Sequence, residues 1–219
     1  MTNKVISYEG AVGLIPDGAV VMIGGFLGVG TPHGLVAELV RQGKRDLTVI
    51  ANDTAFPDNG IGKLIDAKLV KKVIASHIGT NPETQRQMIA GELEVDLVPQ
   101  GTLAERIRAA GFGLGAVITP TGVGTIAAEG KRTIEIGGKT YLVEMPLAAD
   151  FALIRAKRAD YTGNLEYAFT SRNFNPLMAY AADVVIAEAE DVVPVGAISP
   201  DTVITPYVVV DHLVAKGGC

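Results

Sequence analysis

A mostly parallel, open α/β sheet with helices on both faces is the fold class this sequence predicts, on three observations. Short, β-branched, nearly continuous apolar runs recur along the first half of the chain. Amphipathic stretches alternate with them. The glycines and prolines fall between these segments, not in one tract, so no fixed repeat or linker breaks the chain. A chain of 219 residues, 48% hydrophobic and 20% charged, is long enough to bury one large core, so the expectation is one domain over residues 1–219.

The elements follow in order. "AVVMIG" (19–24), "DLTVIA" (46–51), "VKKVIAS" (70–76) and "LEVDLVP" (93–99) read as strands covered on both faces, because they lack the apolar/polar alternation of a half-solvated strand. Between them, "PHGLVAELVRQG" places Leu35, Val36, Leu39 and Val40 on one helical face, and "GIGKLIDAKL", "ETQRQMIAGE" and "GTLAERIRAAG" are helical in pattern. This βαβα rhythm predicts parallel pairing through helical crossovers. After Gly111 it changes: "KRTIEIGGKTYLVE" holds two alternating runs joined by Gly137 and Gly138, which predicts an antiparallel hairpin around 132–144. Strands resume at "DFALIRA" (150–156) and "DVVIAEA" (183–189), and "VVVDHLVA" closes the chain.

Charge and composition exclude some functions. A net charge of −5 argues against nucleic-acid and anionic-membrane partners, both of which require clustered cations. The one cysteine, Cys219, allows no disulfide framework, the first residues lack a signal peptide's apolar core, and no 18 apolar residues run unbroken, so a soluble, cytoplasmic protein is expected. His33, His77 and His212 have no ligand spacing, so no metal is expected.

The stretch "VMIGGFLGVGTPHGLV" (21–36) carries the most chemistry. Glycines between a strand and a helix let backbone approach a ligand, and the helix start favours anions; Thr31 is placed to cap the helix, Pro32 to open it and Gly43 to end it. The dinucleotide pattern GxGxxG fails because His33 stands at its third glycine. The P-loop spacing is met by Gly25 and Gly30, but Thr31 and Pro32 replace the lysine and hydroxyl that would hold phosphate and Mg²⁺, so nucleotide hydrolysis is excluded. On these residues alone, a purely structural βα turn remains an equal reading.

"DGAVVMIGGFLGVGTP" (17–32) resembles the signature of the alpha subunit of class I coenzyme A-transferases through Asp17, Gly18, Gly24, Gly25, Phe26, Gly30 and Pro32. "NDTAFPDNGIG" (52–62), "IGTNPE" (78–83), "VPQGTLAERIRA" (98–109), "TPTGVGT" (119–125), "GKTYLVEMPLAADFALIRA" (138–156) and "RNFNP" (172–176) resemble further blocks of that subunit in the same order. The resemblance implies a CoA-transferase/ribose-phosphate-isomerase-like sheet and transfer of coenzyme A from an acyl-CoA to a free carboxylate, with CoA a substrate and no cofactor. It further implies a glutamate nucleophile in an S-E-N-G-like segment of the beta part. Here the only E-G pairs are Glu9 in "SYEGA" and Glu129 in "AAEGK", and neither has that setting. The chain is therefore expected to lack the nucleophile, to be inactive alone, and to need a beta subunit, as an alpha2beta2 heterotetramer; its stop at Cys219 fits a two-gene enzyme.

By the same resemblance Gly24, Gly25, Phe26, Leu27, Gly28, Val29 and Gly30 form the CoA-binding segment, and Gln100 donates its amide to an oxyanion, a turn or cap role being the alternative. Asn52 and Asp53 follow the second strand, at the sheet edge that holds ligands in open α/β folds. Asn81 and Glu83 suit helix capping. Arg172, Asn173 and Asn175 contact the beta subunit or the nucleotide end of CoA, or simply build a turn. The blocks lean toward acetate, butyrate and acetoacetate as carboxylates; the alternatives are a 3-oxoadipate or succinate:3-oxoacid enzyme and, from other classes, a sugar-phosphate isomerase or a non-catalytic CoA-binding scaffold.

Overall fold

The computed structural model describes residues 3–216, so Cys219 lies outside the described residues. The first half is built as α1 (Tyr8–Gly13), β1 (Val20–Ile23), α2 (His33–Gln42), β2 (Leu47–Ile50), α3 (Gly62–Asp66), β3 (Val70–Ala75), α4 (Pro82–Ile89), β4 (Glu94–Leu97) and α5 (Gln100–Gly111). Next come β5 (Val117–Thr119), β6 (Thr133–Ile136) and β7 (Lys139–Glu144), then β8 (Ala149–Asp160), β9 (Leu165–Glu166), α6 (Asn175–Ala179), β10 (Ala182–Val193) and β11 (His212–Ala215).

Seven strands lie parallel in the order β11-β10-β8-β1-β2-β3-β4, with the short β9 antiparallel beside β8. The pleat explains the unbroken apolar runs. Val21 and Ile23 of β1 face a core with α1, α2 and α3, through Val12, Leu35, Leu39 and Leu64, whereas Met22 faces a second core with α5 and α6, through Leu103, Ile107 and Met178. The run at 93–99 is the exception: β4 is the sheet edge and largely exposed.

β8 and β10 run twelve residues each, well beyond 150–156 and 183–189. Their polar ends, which read as loop in sequence, pair with each other: Arg158 lies opposite Asp191 in register, and Glu190 binds Arg155 at 2.5 Å and Lys157 at 2.6 Å. The 132–144 hairpin forms with Gly137 at φ 57° and Gly138 at φ 72°, and β5 adds to it to make a separate three-stranded antiparallel sheet. Among the described residues no helix is long and apolar enough to cross a membrane.

Candidate functional site at the carboxyl edge of the sheet

From β1 the chain steps outward through β2, β3 and β4, then returns on the other side of β1 as β8, β10 and β11. Loops leaving the carboxyl ends of β1 and its neighbours therefore diverge, and the crevice they leave holds ligands in open α/β sheets. Residues 24–32 leave β1 at that point.

The loop is a miniature hairpin. Phe26 and Val29 exchange both backbone hydrogen bonds at 2.9 Å around Leu27 and Gly28, whose φ angles are 48° and 86°. Positive φ suits glycine but strains leucine, so Leu27 needs an external hold. Asp53 supplies it: its carboxylate accepts the Leu27 N–H at 3.0 and 3.2 Å, and also the N–H of Ala55, another residue at positive φ, at 2.8 Å.

The glycines of the loop are packed by the protein itself. A Cβ on Gly24 would sit 1.8 Å from Asn175 Oδ1, one on Gly25 2.1 Å from Thr31 Oγ1, and one on Gly28 2.4 Å from Asn59 Nδ2. A Cβ on Gly30 would sit 2.7 Å from the Ser171 carbonyl oxygen. Of the loop's N–H groups, those of Gly24, Gly25, Phe26, Leu27 and Val29 donate within the chain. Among the described residues those of Gly28 and Gly30 find no acceptor. Both of these glycines are buried, so the loop presents its side chains to the surroundings and not a row of backbone donors. On the loop's exposed side Phe26, Leu27, Val29, Thr170 and Asn173 line an apolar cavity of about 550 Å³.

The structure brings most of the other sequence-derived residues to this edge. Gln100, the exposed first residue of α5, donates Nε2–H to Asn52 Oδ1 at 2.7 Å; Asn52, buried behind it, donates to Asp53 Oδ2 at 2.6 Å. Ser76 fixes Asn52 from the next strand by donating to its carbonyl at 2.7 Å. Asn173 accepts from the Gly25 N–H at 3.2 Å and donates to the Val29 carbonyl at 2.9 Å, while the buried Asn175 donates to the carbonyls of Gly30 and Ser171 and accepts from the Arg155 N–H. The "RNFNP" segment is thus the strap that holds the glycine loop. Asn81 caps α4, accepting from Glu83 and Thr84, and Glu83 pairs with Arg86.

Two expectations at the helix start are corrected. α2 begins at His33, and Pro32 occupies the cap position without any side-chain capping bond; Thr31 is buried against Gly25 instead, because the space under the left-handed glycine needs filling. The capping acceptor comes from across the sheet. Glu188, 3% exposed on β10, accepts the Leu35 N–H at 2.9 Å and so fills the anion position that the loop resembles. Burial raises its carboxyl pKa above the ordinary range, against the opposing pull of the Leu35 and Gly34 N–H groups and of Arg155. The same environment pushes the Tyr8 hydroxyl, packed on Gly34, up to about 12, through burial first and the Glu188 charge second. Sequence reading missed Glu188, although a lone acid between Ala187 and Ala189 in an apolar strand was a usable signal.

His33 donates Nε2–H to the Gly28 carbonyl at 3.0 Å, and burial, then the Arg155 charge, lowers its pKa, so the ring acts as a neutral tether. His77 lies beside Asp53 on the next strand edge, and His212 opens β11 on the far side of the sheet. Among the described residues no three His, Cys, Asp or Glu side chains converge as a metal site. Glu9 pairs with Arg41 near the C-terminal end of α2, away from the loop, and Glu129 follows a 3-10 turn at Ile126–Ala128.

The coenzyme A transferase family model matches residues 5–216. The acetate CoA-transferase subunit alpha of Escherichia coli (strain K12) is 56% identical over 99% of this chain and 98% of its own length. The acetoacetyl-CoA:acetate/butyrate CoA transferase alpha subunit of Clostridium acetobutylicum is 49% identical, covering 99% of each. Among solved structures, an acyl-CoA transferase of Escherichia coli O157:H7 in a thioester complex with CoA superposes with a TM-score of 0.87 at 23% identity, over 98% of this chain and 47% of that one, so the chain spans about half of that longer polypeptide and the likeness speaks to fold alone. With a sheet, a switch-point loop and an end-to-end sequence match all in agreement, the chain belongs to the coenzyme A transferase family.

Proposed function

We propose that this chain is the single-domain alpha subunit of a heteromeric CoA-transferase that moves coenzyme A between an acyl-CoA, such as acetoacetyl-, butyryl- or acetyl-CoA, and a short-chain carboxylate such as acetate or acetoacetate. The observation that carries the reading is the end-to-end match to two alpha subunits whose names state that activity. The geometry is compatible with it. Phe26, Leu27 and Val29 of the glycine loop offer an apolar wall that suits the pantetheine arm, and Gln100 offers an exposed amide suited to a developing oxyanion.

The covalent carboxylate comes from a beta subunit. Among the described residues two buried carboxyl groups lie near the loop: Glu188 accepts from the Leu35 N–H, and the Asp53 oxygens already accept from Leu27, Ala55 and Asn52, which leaves both unfit as a nucleophile. An alpha2beta2 assembly in the cytoplasm, with CoA as substrate and no cofactor, completes the reading. The test is to co-express the chain with the adjacent reading frame, purify on a tag carried by this chain alone, and assay transfer from acetoacetyl-CoA to acetate. Activity in the mixture and none in either chain alone is expected; turnover by the isolated chain, or none in the mixture, overturns the proposal.

A further inference from the structure

We propose that Asp53 is the positioning residue that sets both halves of the transfer site, an inference that rests on the reading of Gln100 as the oxyanion donor. Its carboxylate, 5% exposed and without a cation partner among the described residues, is held by N–H donors from three directions. Two of those donors, Leu27 and Ala55, are non-glycine residues at φ 48° and 50°. Such backbone persists only where its surroundings determine it. One carboxylate therefore stabilises the strained tip of the glycine loop and the strained turn after β2 together.

The third donor leads to the chemistry. With Asn52 Nδ2 committed to Asp53 Oδ2 at 2.6 Å, the Asn52 amide cannot flip, and its Oδ1 is presented to Gln100 Nε2 at 2.7 Å. One N–H of the Gln100 amide is consumed in that bond. The other remains free on an exposed side chain and points away from Asn52 by the planarity of the amide. Asp53 thus fixes the direction of the free Gln100 N–H and the tip of the glycine loop together. An asparagine at position 53 has one acceptor oxygen for the three donors, so the Asn52 amide loses its 2.6 Å bond and keeps only the weaker 3.3 Å bond from the Ser76 hydroxyl to hold it, and the alignment of Gln100 loosens with it.

The test is a double-mutant cycle in the assembled two-subunit enzyme. Asp53→Asn alone should lower kcat on the order of 10- to 100-fold, since misplacement of a transition-state donor acts on turnover, and should raise KM for acyl-CoA through the loosened loop. In a Gln100→Ala background the further loss in kcat should fall below about threefold, because the donor it positions is gone, while the rise in KM through the loop persists. If Asp53→Asn does not assemble with the partner, Asn52→Ser, which cuts the relay but leaves both turns clamped, carries the cycle instead. Equal losses in kcat in the two backgrounds would overturn the role of Asp53 while leaving Gln100 standing. A Gln100→Ala enzyme with unchanged kcat would instead remove the oxyanion reading, and this inference with it.

Discussion

Gly24→Ala separates two reasons for a glycine at the end of β1. Gly24 does not adopt a left-handed φ, so alanine is acceptable to the backbone and the effect must be steric. The added methyl would lie 1.8 Å from Asn175 Oδ1 and 2.6 Å from its Cγ. Carbon and oxygen atoms in contact settle near about 3.5 Å, so the Asn175 amide would have to retreat by about 1.7 Å, the difference of the two distances. That breaks its bonds to the Arg155 N–H at 3.0 Å, the Gly30 carbonyl at 3.0 Å and the Ser171 carbonyl at 2.7 Å. At about 1 kcal/mol for each bond lost, the substitution should destabilise by roughly 3 kcal/mol, or about 6–12 °C of melting temperature for a domain of this size. The assay is thermal denaturation of the assembled enzyme followed by circular dichroism, with Asn175→Ser as the relieving change. Gly24→Ala added to Asn175→Ser should cost almost nothing further. An unchanged melting temperature accompanied by a raised KM for acyl-CoA would refute this reasoning, and would mean that the glycine makes room for the ligand and not for Asn175.

Three more outcomes follow from the geometry. Gln100→Ala should lower kcat by about 10²-fold, roughly 3 kcal/mol, with a much smaller rise in KM; a KM effect alone in steady-state kinetics would mean that Gln100 only binds substrate. Asn81→Ala removes the α4 cap and its bond to the Thr54 carbonyl, and should cost about 1–2 kcal/mol in urea denaturation without changing KM. Glu188 has a raised folded-state pKa, so the folded protein holds its proton more tightly than the unfolded chain does. Its contribution is fully present below the ordinary carboxylate pKa and is lost as pH rises through the raised folded value. Glu188→Gln should therefore flatten the stability profile over that window, and a profile parallel to wild type would show that Glu188 does not titrate there.

What the sequence disclosed follows from the range of the interactions involved. β1 to β4, the helices between them and the Gly137-Gly138 hairpin were legible because each is set by local periodicity or by a turn that demands positive φ. The full length of β8 and β10 was not, because Lys157, Arg158, Glu190 and Asp191 read as loop until each is seen to be the other strand's partner. At the site, Gln100 and the loop were marked by spacing and by resemblance, and Asn52 by its place after a strand. Their connection was not, since Gln100 and Asn52 are 48 residues apart and only the crossover between β2 and β4 brings them together. The same holds for Thr31, a sound cap in sequence, displaced by a carboxylate 153 residues from the N–H it accepts.

That displacement bears on where the reactive carboxylate must come from. A helix N-terminus behind a glycine loop offers an anion site, and in this chain the offer is taken by Glu188 in the core. Asp53, the other acid near the loop, is enclosed by N–H donors on the opposite side. Both carboxyl groups therefore have their oxygens occupied by donors within the protein, and a nucleophile needs the reverse: lone pairs free of strong donors and access to a thioester carbon. What remains open is the rim, where Phe26 and Val29 are about half exposed and Phe169, itself at φ 50°, is 97% exposed. Exposed apolar side chains of this kind are a poor surface to leave in water, and closing them with another chain would exclude the water that otherwise hydrolyses an acyl intermediate. The loop that lacks a phosphate-binding lysine is therefore consistent chemically: the helix start behind it is already occupied by the Glu188 carboxyl, which leaves no place for a resident phosphate.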